Sequence, residues 1–145
     1  GPVEGSAQEK IEGFPQLDLE IIPYLPHGEC LRLMKSCHAL LALVGDDPRN
    51  DGVLTGKIFE YLRSEVPILA LCPQNGALWQ FLDPLQGAFL GEPHQIESIV
   101  EAVKQTMEFS SSSGDCEFPK TLRRFERKNL TGQLADLFHS IAGSD

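Results

Sequence analysis

The sequence predicts an α/β fold in which a parallel sheet lies between helices, as a Rossmann-like three-layer sandwich. Short apolar runs alternate with segments whose apolar residues recur every three or four positions, the patterns of buried strands and amphipathic helices. The chain has 145 residues, of which 41% are hydrophobic, which suits one domain with a core. We therefore expect residues 1–145 to form a single domain whose sheet has about four or more strands.

Four segments have the composition of β-strands. The first alternates apolar and acidic residues before Pro23, and the others are short continuous apolar runs, as expected for strands that a parallel sheet buries on both faces. The predicted strands are 17–22, 38–44, 67–71 and 87–90. A complete Rossmann-like half has about six strands, and the chain does not begin with methionine. We therefore expect it to be a piece of a longer protein.

Helices are predicted between these strands and after the last of them. Their expected ranges are 26–35, 55–64, 77–82, 93–107 and 118–141, the last in two pieces. Prolines near the starts of the first and fourth favour helix initiation there. The last piece carries one apolar stripe, formed by Leu130, Leu134, Leu137, Phe138 and Ile141. Residues 1–16 and 110–117 contain turn-forming glycine, proline or serine and are expected to be loop-like.

The charge balance disfavours binding to nucleic acid. The chain carries 12 basic and 21 acidic side chains, for a net charge of −9, whereas neutralising a phosphate backbone needs clustered lysine and arginine. One basic cluster stands late in the chain and consists of Lys120, Arg123, Arg124, Arg127 and Lys128. A solvated helix face is the favoured interpretation of this cluster, and contact with another domain or with an anionic surface is the alternative.

The cysteines favour a reducing compartment. They stand at positions 30, 37, 72 and 116 without C-x-x-C spacing, and the first three lie within apolar patterns. Buried reduced thiols are therefore expected rather than zinc ligands or disulfides, which favours the cytoplasm. No apolar run approaches about 18 residues and no stretch has the pattern of a signal peptide, so no transmembrane segment is expected. A peripheral position at the inner face of a membrane is the alternative location.

The best candidate for a binding site is the connection from the second predicted strand into the next helix. In an open parallel sheet, ligands bind in the crevice beyond the carboxyl ends of the strands, and the loop 45–56 lies at such an end. Thr55, Gly56 and Lys57 begin the helix, where free backbone N–H groups and the helix dipole favour an anion. Glu60 follows about one turn later, and its carboxylate suits sugar hydroxyls.

The same residues also have structural explanations. Lys57 and Glu60 are three positions apart on one helix face, and an exposed ion pair there, worth about a few tenths of a kcal/mol, is the favoured interpretation on spacing alone. The carboxylates of Asp46, Asp47 and Asp51 are better explained as turn formers than as magnesium ligands. The histidines are scattered, and the nucleophile-elbow, P-loop and zinc motifs are missing. No catalytic residue, metal ligand or cofactor is therefore predicted.

A longer motif is embedded in this connection. It runs from Thr55 to Leu62 as T-G-K-I-F-E-Y-L and continues at 67–71 as P-I-L-A-L. It resembles the donor-site segment of group 1-like glycosyltransferases, which have two Rossmann-like domains (the GT-B fold) and often read T-G-K-x-F-E-Y-L followed by P-I-L. Segments 22–34, 91–107 and 125–141 are similar to the turn and helices that flank this motif in the family. The similarity covers most of residues 17–141.

The resemblance implies the C-terminal, nucleotide-sugar-binding domain of an enzyme that moves a sugar from a nucleoside diphosphate sugar to an acceptor hydroxyl. Glu60 would hydrogen-bond the donor ribose, and Thr55–Lys57 would line its diphosphate. Leu25 and His27 match positions that contact the nucleobase, chiefly through the backbone, although the loop position of His27 alone favours a simple exposed polar residue. Another domain would bind the sugar, lipid or polysaccharide acceptor, so no turnover is expected from this chain by itself.

The sequence departs from the family in several places. Many relatives have a second glutamate eight residues before the ribose glutamate, where this chain has Gly52, and the adjacent Asp51 is the candidate to replace it. Relatives usually have glycine in the turn that Glu65 and Val66 occupy here. Two other classes therefore stay open: a Rossmann-like binding or interaction module without a donor site, and a sugar-nucleotide epimerase of the same two-domain fold.

Overall fold

The computed structural model of the chain describes residues 14, 16, 18–45, 47–50, 52–112, 115–116 and 118–142, with the backbone alone at 48, 111 and 119. The chain divides into two compact units between Leu33 and Met34. Most of the predicted loop 1–16 lies outside the described residues. Among the described residues, no helix combines the length and the apolar character that crossing a bilayer requires.

The described part of the first unit is an irregular segment, 18–26, that leads into helix α1, His27–Ser36. The helix begins where the proline pattern predicted, because the carbonyl of Pro26 accepts the first helical hydrogen bonds. The predicted strand 17–22 does not form over its described part, 18–22. Leu19 and Ile21 stay 51% and 50% exposed, so their alternation with acidic residues does not create a buried sheet face. Position 17 lies outside the described residues.

The second unit is built on a parallel sheet, which has three strands in the described residues: β1 Leu40–Leu43, β2 Ile68–Leu71 and β3 Ala88–Gly91. The strands lie in chain order, and their register pairs Leu40 with Ile68 and Ile68 with Ala88. The predicted α/β class with a parallel sheet is confirmed. The described sheet has three strands instead of about four because the segment 18–22 forms no strand.

Helices connect and follow these strands. In the described residues they are α2 Gly56–Ser64, α3 Ala77–Leu82, α4 Ile96–Ser111, α5 Phe118–Arg124 and α6 Arg127–Ala142, with a 3₁₀ turn at Pro48–Asn50. Helix α4 begins after the predicted Pro93, because a turn there is closed by a 3.2 Å hydrogen bond from Gln95 N–H to the Glu92 carbonyl. It also runs into the predicted loop 110–117, where the Ser110 hydroxyl donates to the His38 carbonyl at 3.1 Å.

The main core of the second unit lies on one face of the sheet. Its fully or nearly fully buried members are Ile58, Leu62, Ile68, Ala70, Cys72, Leu78, Leu82 and Phe118. Every second residue of β2 contributes, as the strand period of two requires, and the remaining members come from α2, α3 and α5. Burying one large aliphatic side chain stabilises a fold by about 2 kcal/mol. These helices are therefore fixed to the sheet by shared apolar contacts.

Helix α4 covers the opposite face of β2 and β3. The ring of Phe89 in β3 packs against that of Phe109 in α4, with centroids 5.4 Å apart. A Cβ at Gly91 would lie 3.3 Å from the Cα of Ile99, so the glycine permits the close approach of helix and strand. The sheet thus has helices on both faces at β2 and β3, which agrees with the predicted layering.

Strand β1 is an open edge of the described sheet. The Leu40 N–H donates to the carbonyl of Pro67, directly before β2, at 2.8 Å, and the Val44 N–H donates to that of Leu71 at 2.9 Å. The backbone groups of Leu41 and Leu43 therefore point away from β2. The side chains of Leu41 and Leu43 project onto the face that α4 covers further along, but they remain 50% and 67% exposed. Both the edge and this face of β1 are therefore accessible.

Three phenylalanines join α2, α3 and the turn between α5 and α6. The ring centroids are 5.7 Å apart for Phe59 and Phe81, 5.4 Å for Phe59 and Phe125, and 5.5 Å for Phe81 and Phe125. Each pair is tilted or edge-on, a geometry worth about 1 kcal/mol beyond area burial. This cluster anchors the end of the chain to α2 and α3, and the predicted division of 118–141 into two helical pieces is confirmed at Phe125–Glu126.

Candidate functional site

The loop between β1 and α2 is folded by its own side chains. The guanidinium of Arg49 donates to both carboxylate oxygens of Asp47, at 2.9 Å from Nε and 2.5 Å from Nη2. These bonds, with a further one from the Arg49 backbone N–H, lower the pKa of Asp47. The side chain of Asn50 donates to the Gly45 carbonyl at 3.3 Å. Asp47 is therefore a turn residue with its own cation, as its turn interpretation predicted.

Helix α2 begins with exposed backbone groups beside a lysine. Thr55 precedes the helix in an extended conformation (φ −71°, ψ 145°), and its hydroxyl makes no capping hydrogen bond. The carbonyl of Thr55 accepts the N–H of Ile58 at 3.1 Å, so the N–H groups of Gly56 and Lys57 precede the first bond of the helix. Thr55, Gly56 and Lys57 are all exposed. This helix start has the free donors and the positive dipole end that favour an anion.

A cleft of about 420 Å³ lies between α2 and the open edge of β1. It is lined by Leu41, Ala42, Leu43, Val44, Thr55, Lys57, Ile58, Tyr61 and Leu78. The hydroxyl of Tyr61 donates to the Leu41 carbonyl at 3.4 Å and so bridges helix and strand. Only Thr55, Lys57 and Tyr61 bring polar side chains to this lining. The cleft is an apolar groove that carries one cation.

Two of the predicted site residues meet at this cleft, and two lie beside it. Thr55 and Lys57 belong to its lining, whereas Gly56 and Glu60 do not. Glu60 is half-buried on the next turn of α2, and no ion pair joins it to Lys57. The surface ion pair that spacing favoured is therefore not formed, and Lys57 contributes to the lining of the cleft.

The other predicted site residues stand elsewhere in the chain. Leu25 is half-buried and His27 is exposed at the start of α1, both in the unit 1–33. Asp51, the candidate to replace the second family glutamate, lies outside the described residues, as does Asp46. Gly52 is exposed, and a Cβ there would have no neighbour within 4 Å. A larger side chain at position 52 is therefore sterically tolerated.

A polar contact at the carboxyl ends of β2 and β3 was not predicted. Glu92 directly follows β3, and its carboxylate accepts the backbone N–H of Gln74 at 3.1 Å. The Glu92 N–H donates to the hydroxyl of Ser98 at 3.0 Å. These bonds join the loops after two neighbouring strands to the start of α4. The sequence offers one signal for this contact, an acidic residue immediately after a predicted strand. The partner of Glu92, Gln74, lies 18 residues earlier, and only the register of β2 against β3 identifies it.

The cysteines only partly follow the predicted burial. Cys72 at the end of β2 is fully buried, which raises its pKa to about 11, with a smaller contribution from the negative charge of Glu92. The thiol is neutral near pH 7 and is therefore a poor nucleophile. Cys30 is half-buried and Cys37 is exposed, so the predicted burial is wrong for Cys37, whose side chain lies just after the end of α1.

The motif that carries the family resemblance therefore forms α2 and β2, and a cleft lies beside its helix. Within the described part of the chain, no group of three histidine, cysteine or acidic side chains is placed to bind a metal. Comparisons of the chain with protein-family models, with curated proteins and with solved structures each found no match.

Proposed function

We propose that this chain is the donor-binding part of a glycosyltransferase, which moves a sugar from a nucleoside diphosphate sugar to an acceptor hydroxyl. One observation carries the proposal: Thr55 and Lys57 of the motif meet at the exposed start of α2, in the lining of a cleft beside β1. A helix start with an adjacent lysine suits a diphosphate, and the apolar walls next to it suit the flat faces of a nucleoside.

Each motif residue has a role in this proposal. Lys57 and the backbone N–H of Gly56 bind the diphosphate, and Glu60 accepts hydrogen bonds from the ribose hydroxyls. Cations and dipoles around the diphosphate stabilise the negative charge that grows on the leaving nucleotide as the sugar–oxygen bond breaks. The resemblance also assigns a contact with the base to Leu25 and His27, and a contact with the sugar to Asp51. The acceptor is bound by another domain, so this chain alone gives no turnover.

A non-catalytic binding or interaction module is the second candidate. The composition of the cleft favours it, because six of the nine lining residues are aliphatic and Glu60 is not among them. A groove of this kind suits an apolar ligand or the side chains of a protein segment. The two candidates differ in whether a nucleotide diphosphate binds at Lys57 and Glu60.

The test is a titration of isotope-labelled chain with UDP, GDP and ADP in turn, followed through its backbone amide shifts. A donor site predicts shifts that cluster at the start of α2, and the nucleotide with the tightest binding identifies the base. Glu60→Ala is expected to weaken that binding by at least about tenfold, since a carboxylate with two hydroxyl donors contributes about 1.5–3 kcal/mol. A folded chain whose amides do not shift with any of the three nucleotides contradicts the proposal.

Matched variants on α4 separate binding from general electrostatics. Glu97→Ala removes an exposed carboxylate, and Lys104→Ala an exposed ammonium, far along the chain from the motif. We expect nucleotide affinity to fall for Glu60→Ala and Lys57→Ala and to stay unchanged for the two α4 variants. Glu97→Ala is matched to Glu60→Ala, and Lys104→Ala to Lys57→Ala. If nucleotide affinity falls equally for both members of a pair, the effect is one of non-specific charge, and the interaction module is favoured.

A further inference from the structure

Helix α6 carries an apolar stripe that the described structure leaves uncovered. Its members have exposed fractions of 45% for Leu130, 50% for Leu134, 54% for Leu137, 60% for Phe138 and 65% for Ile141. Their spacing places them on roughly one third of the helix circumference. No residue of α6 is fully buried. We call these five side chains the α6 stripe.

The α6 stripe is bordered by cations in an otherwise acidic chain. Residues 118–142 contain five basic and two acidic side chains, a net charge of +3, whereas the whole chain has a net charge of −9. Arg123, Arg124, Arg127 and Lys128 are exposed, and within the described residues none of the four takes part in an ion pair. By helical spacing, Arg127 lies on the same side of α6 as Leu130 and Leu134.

The acidic side chains of this segment do not neutralise those cations. Asp136 is six positions after Leu130, which places it on the opposite side of α6 from the stripe. Glu126, the other acidic side chain, is adjacent to Arg127 in sequence and, among the described residues, forms no ion pair with the four cations. Two copies of the chain that met α6 stripe to stripe would therefore bring together two segments that each carry a net charge of +3. The partner must supply both an apolar phase and anionic groups, and a bilayer with anionic headgroups has both.

We propose that α6, with the cations that precede it, docks on the surface of an anionic lipid bilayer. The helix lies in the plane of the interface, with the α6 stripe towards the acyl chains and Arg123, Arg124 and Arg127 among the headgroup phosphates. The aromatic contacts of Phe125 with Phe59 and Phe81 attach this helix to the α2 and α3 layer. Docking is independent of nucleotide binding and so goes beyond the proposed function.

The experiment is flotation of the full chain with vesicles of two compositions. One set contains phosphatidylcholine alone, and the other contains equal parts of phosphatidylcholine and phosphatidylserine. The chain is expected to float with the anionic vesicles and to remain unbound with the neutral ones. Raising the salt concentration is expected to release it, because the attraction of exposed cations to the surface is screened.

Matched variants identify the docking surface. Arg124→Gln with Arg127→Gln is expected to lower the partition coefficient about 25-fold, since each surface cation contributes about fivefold. The pair Arg63→Gln with Lys104→Gln changes the net charge equally at exposed positions of α2 and α4 and is expected to have no effect. Ile141→Ser is expected to weaken binding about tenfold. Ile96→Ser is its control, because Ile96 is 72% exposed and Ile141 65%.

Three outcomes overturn the proposal. The first is a chain that stays at the bottom of the gradient with the anionic vesicles. The second is an equal loss of flotation for both glutamine pairs, which would indicate net charge instead of a defined surface. The third is a dimer in light scattering that becomes a monomer with Ile141→Ser, which would assign the α6 stripe to a second copy of the chain.

Discussion

The carboxylate of Glu92 accepts the backbone N–H of Gln74 at 3.1 Å and thereby connects the loops that follow β2 and β3. The same residue uses its own N–H to bond the Ser98 hydroxyl at 3.0 Å. The carboxyl ends of the two strands, where an α/β sheet binds ligands, are thus held in a fixed relation. Glu92 thus holds together the loops at the carboxyl ends of β2 and β3, and it is not part of the cleft lining at α2.

Replacing Glu92 is expected to destabilise the fold modestly. Glu92→Ala removes a charge-assisted hydrogen bond at a partly exposed position, so we expect a loss of about 1 kcal/mol in the free energy of unfolding. The measurement is urea unfolding followed by the fluorescence of Trp79, the one tryptophan. Glu97→Ala, on the first turn of α4, serves as the control and is expected to lose less, about a few tenths of a kcal/mol, because it removes only a contact with the helix dipole. Equal stability of the two variants would show that the Glu92 bond contributes nothing.

The pKa of Cys72 predicts a loss of stability at alkaline pH. Burial, with a smaller contribution from Glu92, raises the folded-state pKa from 9.0 to about 11. The folded protein therefore keeps a proton that the unfolded chain has lost. The stabilisation is fully present below pH 9 and is lost as the pH rises to about 11, by at most about 3 kcal/mol in total.

The check is the free energy of unfolding measured from pH 8 to about 11 for the original chain and for Cys72→Ala. The variant is less stable throughout because of the cavity it creates, so the informative quantity is the slope with pH. We expect the slope to be shallower in Cys72→Ala than in the original chain. Parallel curves would assign the alkaline loss to other groups, among them Cys116, whose pKa burial also raises.

The turn between α2 and β2 contains a strained residue. Glu65 ends α2 with φ 59° and ψ 24°, in the left-handed region, and its N–H donates to the Leu62 carbonyl at 3.3 Å. A residue with a Cβ loses about 1–2 kcal/mol there. Glu65→Gly is therefore expected to raise the free energy of unfolding by about 1 kcal/mol after the entropy of glycine is subtracted. Glu65→Ala keeps the Cβ, and a gain as large as that of glycine would refute the strain argument.

Gly87 is expected to tolerate no side chain. Its φ is +98°, and a Cβ would lie 2.7 Å from Sγ of Cys116 and 3.2 Å from Cζ of Phe118. Gly87→Ala combines backbone strain with overpacking, so we expect a loss of about 3 kcal/mol in the free energy of unfolding. Gly132→Ala, in the open interior of α6, is expected to stabilise slightly because alanine favours helix. Thermal unfolding of both variants gives the comparison, and shifts of the same sign would contradict it.

The parts of the fold that local pattern determines were predictable. The runs at 40–43, 68–71 and 88–91 are apolar on both faces, and this composition is enough to identify strands of a parallel sheet, although one face of β1 stays exposed. The segment 18–22 shows the limit of this reasoning. The alternation of apolar and acidic residues predicts which side chains a sheet would bury, but it does not show that a neighbouring strand is available for pairing.

The candidate site was predictable only where one element carries it. Thr55 and Lys57 are two positions apart at the start of one helix, so their closeness in sequence is enough to place both beside its exposed N–H groups. The bond from Gln74 to Glu92 depends on the register of β2 against β3, which neither residue encodes locally. The position of Glu60 outside the cleft lining likewise depends on how α2 rotates against β1, and packing of Ile58 and Leu62 determines that rotation.

The accessible edge of β1 has a practical consequence for any preparation of this chain. The backbone groups of Leu41 and Leu43 face away from β2, beside two leucine side chains that are at least half exposed. Such an edge is a template on which a strand from another molecule can pair, the first step of edge-to-edge aggregation. Aggregation is therefore expected to increase with protein concentration, and Leu43→Lys is a single change expected to protect the edge.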